Sequence, residues 1–85
     1  MKQFTYAIKD PMGLHARPAG LFVKAAAGYT CNVTLETPAG KADAKRIMAV
    51  MRLAAKQGDV LTITCDGADE AKAAADLQAF LAANI

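Results

Sequence analysis

The apolar residues of this chain keep changing period, between two and about 3.6, and a chain that does this must pack strands and helices onto one another. Phe4, Tyr6 and Ile8 alternate with Gln3, Thr5 and Ala7, the pattern of a strand with one buried face. Asp10-Pro11-Met12-Gly13 breaks it. From Ala16 the period lengthens: Ala19, Phe22, Val23 and Ala26 form one stripe of a helix. Pro18 suits its first turn, and Gly28 is expected to end it in the left-handed conformation. Cys31, Val33 and Leu35 alternate in a second strand. Thr37-Pro38-Ala39-Gly40 then turns the chain into a short third strand, Lys41–Asp43, its hairpin partner. Residues 46–54 read as a short helix with Ile47, Met48, Val50 and Met51 apolar. After Gln57-Gly58-Asp59, Leu61, Ile63 and Cys65 give a fourth strand. Gly67 ends that strand and Asp69 is expected to cap the last helix, Glu70 to about Ala83, with Ala73, Leu77, Phe80 and Asn84 near one face.

The order strand, helix, strand, strand, helix, strand, helix predicts a two-layer α+β sandwich with the helices on one face of a four-stranded sheet. The hairpin requires that sheet to be at least partly antiparallel. At 85 residues the chain has room for one core, so residues 1–85 are expected to form a single domain. The hydrophobic fraction of 54% is inflated by alanine, which leaves few large apolar side chains. A deep substrate cavity is therefore not expected, and any chemistry should lie on the surface.

A formal charge of +2 argues against a general nucleic-acid binder. The cations nevertheless cluster, at Lys41, Lys45, Arg46, Arg52 and Lys56, while Asp59, Asp66, Asp69, Glu70 and Asp76 gather elsewhere. One basic face and an acidic partner follow. Cys31 and Cys65 lack metal spacing and alternate with strand residues, so they read as buried thiols, and no metal site is expected. Neither a signal peptide nor a run long enough to cross a membrane is visible, which makes a cytoplasmic location, without membrane insertion, the expectation.

The stretch GLHARPAG, residues 13–20, concentrates the chemistry. His15 is the only histidine and stands just before a helix start. The first turn of a helix leaves N–H groups unpaired, and with the helix dipole they favour an anion by about 0.3–1 kcal/mol, enough to hold a group without trapping it. Ala16 and Arg17 would supply those donors, Pro18 cannot, and the Arg17 guanidinium suits phosphate oxygens. A neutral ring nitrogen of His15 can attack a phosphoryl group and carry it as N-phosphohistidine. Gly13 is expected to clear the approach of a partner. No acid–base partner for His15, no P-loop and no metal cluster can be named, so the reaction would be one half of a transfer completed on another protein. The chain then acts as a carrier without a cofactor, not as a self-sufficient enzyme.

GLHARPAG resembles the phosphoryl-acceptor motif of the HPr family, the phosphocarriers of the bacterial sugar phosphotransferase system. KRIMAVMRLAAKQGD, residues 45–59, is similar to the family's second-helix region, and GADEAKAAADL, residues 67–77, to the start of its final helix. The resemblance covers essentially the whole chain. It implies an open-faced sandwich with a four-stranded antiparallel sheet and three helices on one face. It implies that His15 is phosphorylated on Nδ1 by enzyme I, charged by phosphoenolpyruvate, and passes the group to sugar-specific A subunits. It implies that Arg17 neutralises the phosphate and that Ala16, Arg17, Gly20 and Lys24 dock partners together with Ile47, Met48, Met51 and Arg52. Methionine suits a surface that meets several partners, and at least one of Met48 and Met51 should be exposed. A monomer is expected.

Where many Gram-positive members open the second helix with a serine phosphorylated by a regulatory kinase, this chain has Arg46, which cannot accept that phosphate. Ala49 and Ala54 stand where glycine is common, and Arg52 where serine is common. Two other readings compete with sugar phosphotransfer. One is a regulatory binding module of similar build, and its variant is a carrier for a non-sugar acceptor such as a dihydroxyacetone kinase. The other is a phosphate-handling enzyme or RNA-binding domain of similar element order. The first of these would need a phosphate loop with a positioned asparagine, and the second aromatic residues on the middle strands; neither is present.

Overall fold

A computed structural model describes residues 1–85. The elements are β1 (Lys2–Ala7), α1 (Ala16–Ala27), β2 (Asn32–Thr37), β3 (Gly40–Asp43), α2 (Ile47–Arg52), β4 (Val60–Asp66) and α3 (Glu70–Asn84). All strand pairs are antiparallel, in the order β1-β4-β2-β3. The architecture is the expected open-faced α+β sandwich.

Register explains which face is buried. Phe4 lies opposite Ile63, Tyr6 opposite Leu61, Leu35 opposite Ile63 and Val33 opposite Cys65. These side chains share one face, and the helices cover it with Ala19, Phe22, Ala26, Val50, Ala73, Leu77 and Leu81. The rings of Phe22 and Phe80 meet at 6.1 Å between centroids and join α1 to α3. The other face carries Gln3, Thr5, Thr34, Glu36, Thr62 and Thr64, and Gln3 donates to the Thr64 hydroxyl at 3.0 Å. Both cysteines are buried and free. Burial pushes the Cys31 thiol up to about 11 and that of Cys65 upward as well, so both stay protonated and unreactive.

Several local expectations are corrected. Gly28 is right-handed, φ −74°, because α1 ends in a tightened turn: the Gly28 N–H donates to the Ala25 carbonyl at 3.2 Å. Helix α2 spans six residues, not nine, and closes as the N–H groups of Leu53 and Ala54 reach back to Val50 and Met51. Ala54 then adopts φ 48°, the left-handed conformation that favours glycine, and stops the helix. On α3 the buried stripe runs Ala73, Leu77, Leu81; Asn84 is exposed, because Leu81 is four residues on from Leu77 and fills that place. Asp69 occupies the N-cap position, but its carboxylate makes no cap bond. It accepts the N–H groups of Thr30 and Cys31, each at 2.9 Å, and so fastens the loop before β2 to the start of α3. Those two bonds, Thr30 first, hold its carboxyl down to about 2.

Candidate functional site

His15 is the N-cap of α1, with extended backbone (φ −82°, ψ 179°), and its side chain makes no cap bond. Its carbonyl accepts the Ala19 N–H at 3.0 Å, and Pro18 has no N–H to offer. No carboxylate occupies the first turn of α1. The N–H groups of Ala16 and Arg17 are therefore left open in that first turn. Both residues are exposed, and Arg17 is in no ion pair, so its charge is available to an incoming anion. The head of α1 thus brings together two main-chain donors and one guanidinium that is in no ion pair.

The loop ahead of His15 is braced from two sides. Leu14 N–H donates to the Ala55 carbonyl at 3.0 Å, while the N–H groups of Lys9 and Asp10 both donate to the Ile85 carbonyl oxygen at 2.8 Å. Gly13 is buried, with φ 67°. A Cβ there would come within 2.5 Å of the Ala55 carbonyl oxygen and 2.6 Å of the Lys56 Cα. The expectation that Gly13 clears a partner's approach is thus corrected: glycine is required by contact inside the molecule. The left-handed turn at Ala54 delivers the Ala55 carbonyl to this loop, so the end of α2 supports the histidine.

Sequence reasoning missed one neighbour. Asp10 Oδ2 lies 3.9 Å from His15 Nε2, and Asp10 Oδ1 accepts the Met12 N–H at 2.8 Å. Asp10 reads along the chain as part of a strand break, and only the turn it initiates folds it back toward position 15.

The residues expected to dock partners are distributed over α1 and α2, which pack side by side. Ala16, Arg17, Lys24, Ile47, Met48 and Arg52 are exposed, with Met48 at 66%, and Gly20 is half-buried. Met51 is half-buried and packs against the core, so it belongs more to the fold than to the surface. Leu21, at 46%, and Met12, at 71%, extend the exposed apolar area and were not anticipated. Leu21 could have been found, since it is apolar and lies off the Ala19–Phe22–Ala26 stripe. Lys45, Arg46, Ile47, Met48, Ala49 and Arg52 line a shallow groove of about 500 Å³. A larger hollow, about 580 Å³, lies against Asn32, Lys41, Thr64 and Asp66 and includes no residue of the histidine loop.

Arg46 is the N-cap of α2 without a capping bond. Asp43 takes over part of that work: its Oδ1 accepts the Lys45 N–H at 2.9 Å, its carbonyl accepts the Arg46 N–H at 3.0 Å, and its Oδ2 lies 3.9 Å from Arg46 Nε. That is how an arginine is accommodated at the head of this helix.

A small sandwich that presents one nucleophilic ring beside an open helix start, with the rest of the chemistry left to another molecule, has the build of a group carrier. Residues 2–83 match the family described as the PTS HPr component phosphorylation site. The phosphocarrier protein HPr of Mycoplasma genitalium is 40% identical over 99% of this chain and 97% of its own length. An HPr structure from Thermoanaerobacter tengcongensis superimposes with TM-score 0.92 at 38% identity, covering 98% of this chain and 93% of that one. The Bacillus subtilis catabolite-repression protein Crh, described as a domain-swapped dimer, gives 0.76 at 38% identity over 100% of this chain and 98% of its own. The chain belongs to the HPr family, the phosphocarriers of the phosphotransferase system, and its partners are components of that system. No helix is long and apolar enough to cross a membrane.

Proposed function

We propose that His15 accepts a phosphoryl group from enzyme I on Nδ1 and passes it to sugar-specific A subunits, in the cytoplasm and as a monomer. The observation that carries this reading is the pairing of the His15 ring with the two open N–H groups of Ala16 and Arg17 at the start of α1. A phosphoryl group on the ring would have its oxygens facing two main-chain donors and a guanidinium. Charge-assisted bonds of this kind are short and about twice as strong as neutral ones. They hold the charge, while the weak N–P bond keeps the group transferable. The exposed part of the α1 and α2 surface, with Ala16, Lys24, Ile47, Met48 and Arg52, brings partners to the ring. Arg46 leaves no hydroxyl for the regulatory kinase. The test is incubation with phosphoenolpyruvate, enzyme I and a panel of A subunits. Label should pass through wild type to at least one of them, and not through His15→Ala. A second reading, a regulatory binding module, draws on the likeness to Crh and the altered head of α2. Tight binding to a regulator by a wild-type chain that no enzyme I phosphorylates would establish that reading instead.

A further inference from the structure

Resting on His15 as the phosphoryl acceptor, we propose that Asp10 is a positioning residue whose carboxylate keeps the imidazole proton on Nε2 and so leaves Nδ1 as the nucleophilic atom throughout the transfer cycle. Asp10 is anchored in three ways. Its N–H donates to the Ile85 carbonyl oxygen at 2.8 Å, and its carbonyl accepts the Gly13 N–H at 2.9 Å. Its Oδ1 accepts the Met12 N–H at 2.8 Å. Its Oδ2 is left, 3.9 Å from His15 Nε2. The side chains are only 28% and 33% exposed, so water screens the pair incompletely. No other acid lies in ionic reach of His15, and no other cation claims Asp10.

At this distance the contact is not a hydrogen bond, and the carboxylate acts on the neutral ring through its field. A carboxylate repels a lone pair that faces it and attracts an N–H. The ring therefore turns Nε2–H toward Asp10 and keeps its lone pair on Nδ1. In the first step the Nδ1 lone pair forms the N–P bond with a phosphorylated partner protein. The bond from phosphorus to the partner breaks, and its electron pair stays with the partner atom. The Nε2 proton does not move, and the ring becomes a phosphoimidazolium whose positive charge faces Asp10. In the second step an acceptor lone pair attacks phosphorus, and the N–P electron pair returns to Nδ1. The imidazole leaves neutral, with its Nε2 proton in place. Without that proton the leaving group would be an imidazolate, a far poorer one.

The test combines ring ¹⁵N chemical shifts of His15, at a pH where the imidazole is neutral, with the rate of transfer to an A subunit. Asp10→Asn keeps an acceptor for the Met12 N–H and the shape of the loop, and its unfolding midpoint serves as the fold control. Wild type should be mainly the Nε2–H tautomer. In Asp10→Asn the ratio of Nε2–H to Nδ1–H should fall roughly three- to tenfold, the scale of one nearby charge in a half-exposed site. Transfer should slow by a similar factor, and Asp10→Glu should recover part of both. An unchanged tautomer ratio in Asp10→Asn overturns the proposal, even if transfer slows, because Asp10 then acts through loop shape alone. Label carried by His15→Ala would overturn the acceptor reading and the transfer role with it, and the tautomer ratio separates that failure from the first.

Discussion

Ala54 holds the left-handed conformation, φ 48°, in which a Cβ crowds the following carbonyl. Glycine there removes the crowding but frees the unfolded chain, and the first effect is larger. Ala54→Gly should therefore stabilise the fold by about 0.5–1 kcal/mol, read as a higher urea midpoint at unchanged slope. Asp69 gives a pH prediction. Its carboxyl falls from 3.8 to about 2 on folding because it accepts the Thr30 and Cys31 N–H groups. The folded state thus binds the proton less readily than the unfolded one. The contribution is present above 3.8 and is lost as pH falls toward about 2. Asp69→Asn should begin with a lower midpoint and lose less of it across that window in urea titrations at a series of pH values. Legibility differed between these residues. Asp69 could be read as a cap because position and residue type agree, yet its side chain serves a loop 38 residues away. That choice depends on where the chain returns, which local pattern does not encode. Gly13 was legible as a required glycine, but the reason, contact with Ala55 and Lys56, is equally nonlocal.

At the scale of elements, the two long helices and the strands follow from apolar period, because each buries one face and nothing else competes for it. Helix α2 is harder to read. With six residues it makes less than two full turns, and its length is set by the reversal at Ala54 and not by a stripe. Its surface role is testable apart from its stability. Met48 is exposed, so Met48→Ala should change folding stability by no more than about 0.5 kcal/mol. The same change should weaken docking by about 1 kcal/mol, roughly a fivefold rise in KM for enzyme I. Steady-state transfer assays alongside thermal unfolding check both halves. The neighbouring α1 shows why part of the exposed apolar area is hard to read: a stripe search finds what is buried, and Leu21 is exposed.

Across the whole molecule, one core under an open sheet holds the histidine loop, and the supports of that loop come from two places far along the chain, Ala55 after α2 and Ile85 after α3. Stability and site are therefore linked through the backbone. Leu77 is 1% exposed at the centre of α3, and Leu77→Ala should cost about 2–5 kcal/mol, a large part of what so small a domain has. Calorimetric unfolding measures it, and the phosphoryl-accepting activity should fall only as the folded fraction falls. The element order and the histidine motif were both legible, since each is written in a few consecutive residues. Asp10 against His15 was not, because the contact is made by a turn whose path is fixed by Gly13 and by the chain's far end.

Everything proposed for the transfer rests on His15 as the phosphoryl-bearing residue. The most direct measurement is site mapping after exposure to phosphoenolpyruvate and enzyme I, by intact mass and ³¹P NMR. The result expected is a single acid-labile phosphoryl group per chain, on Nδ1 of His15, and none on His15→Ala. Stoichiometric label on His15→Ala, or a phosphoryl group found on any other residue of the wild type, would contradict it.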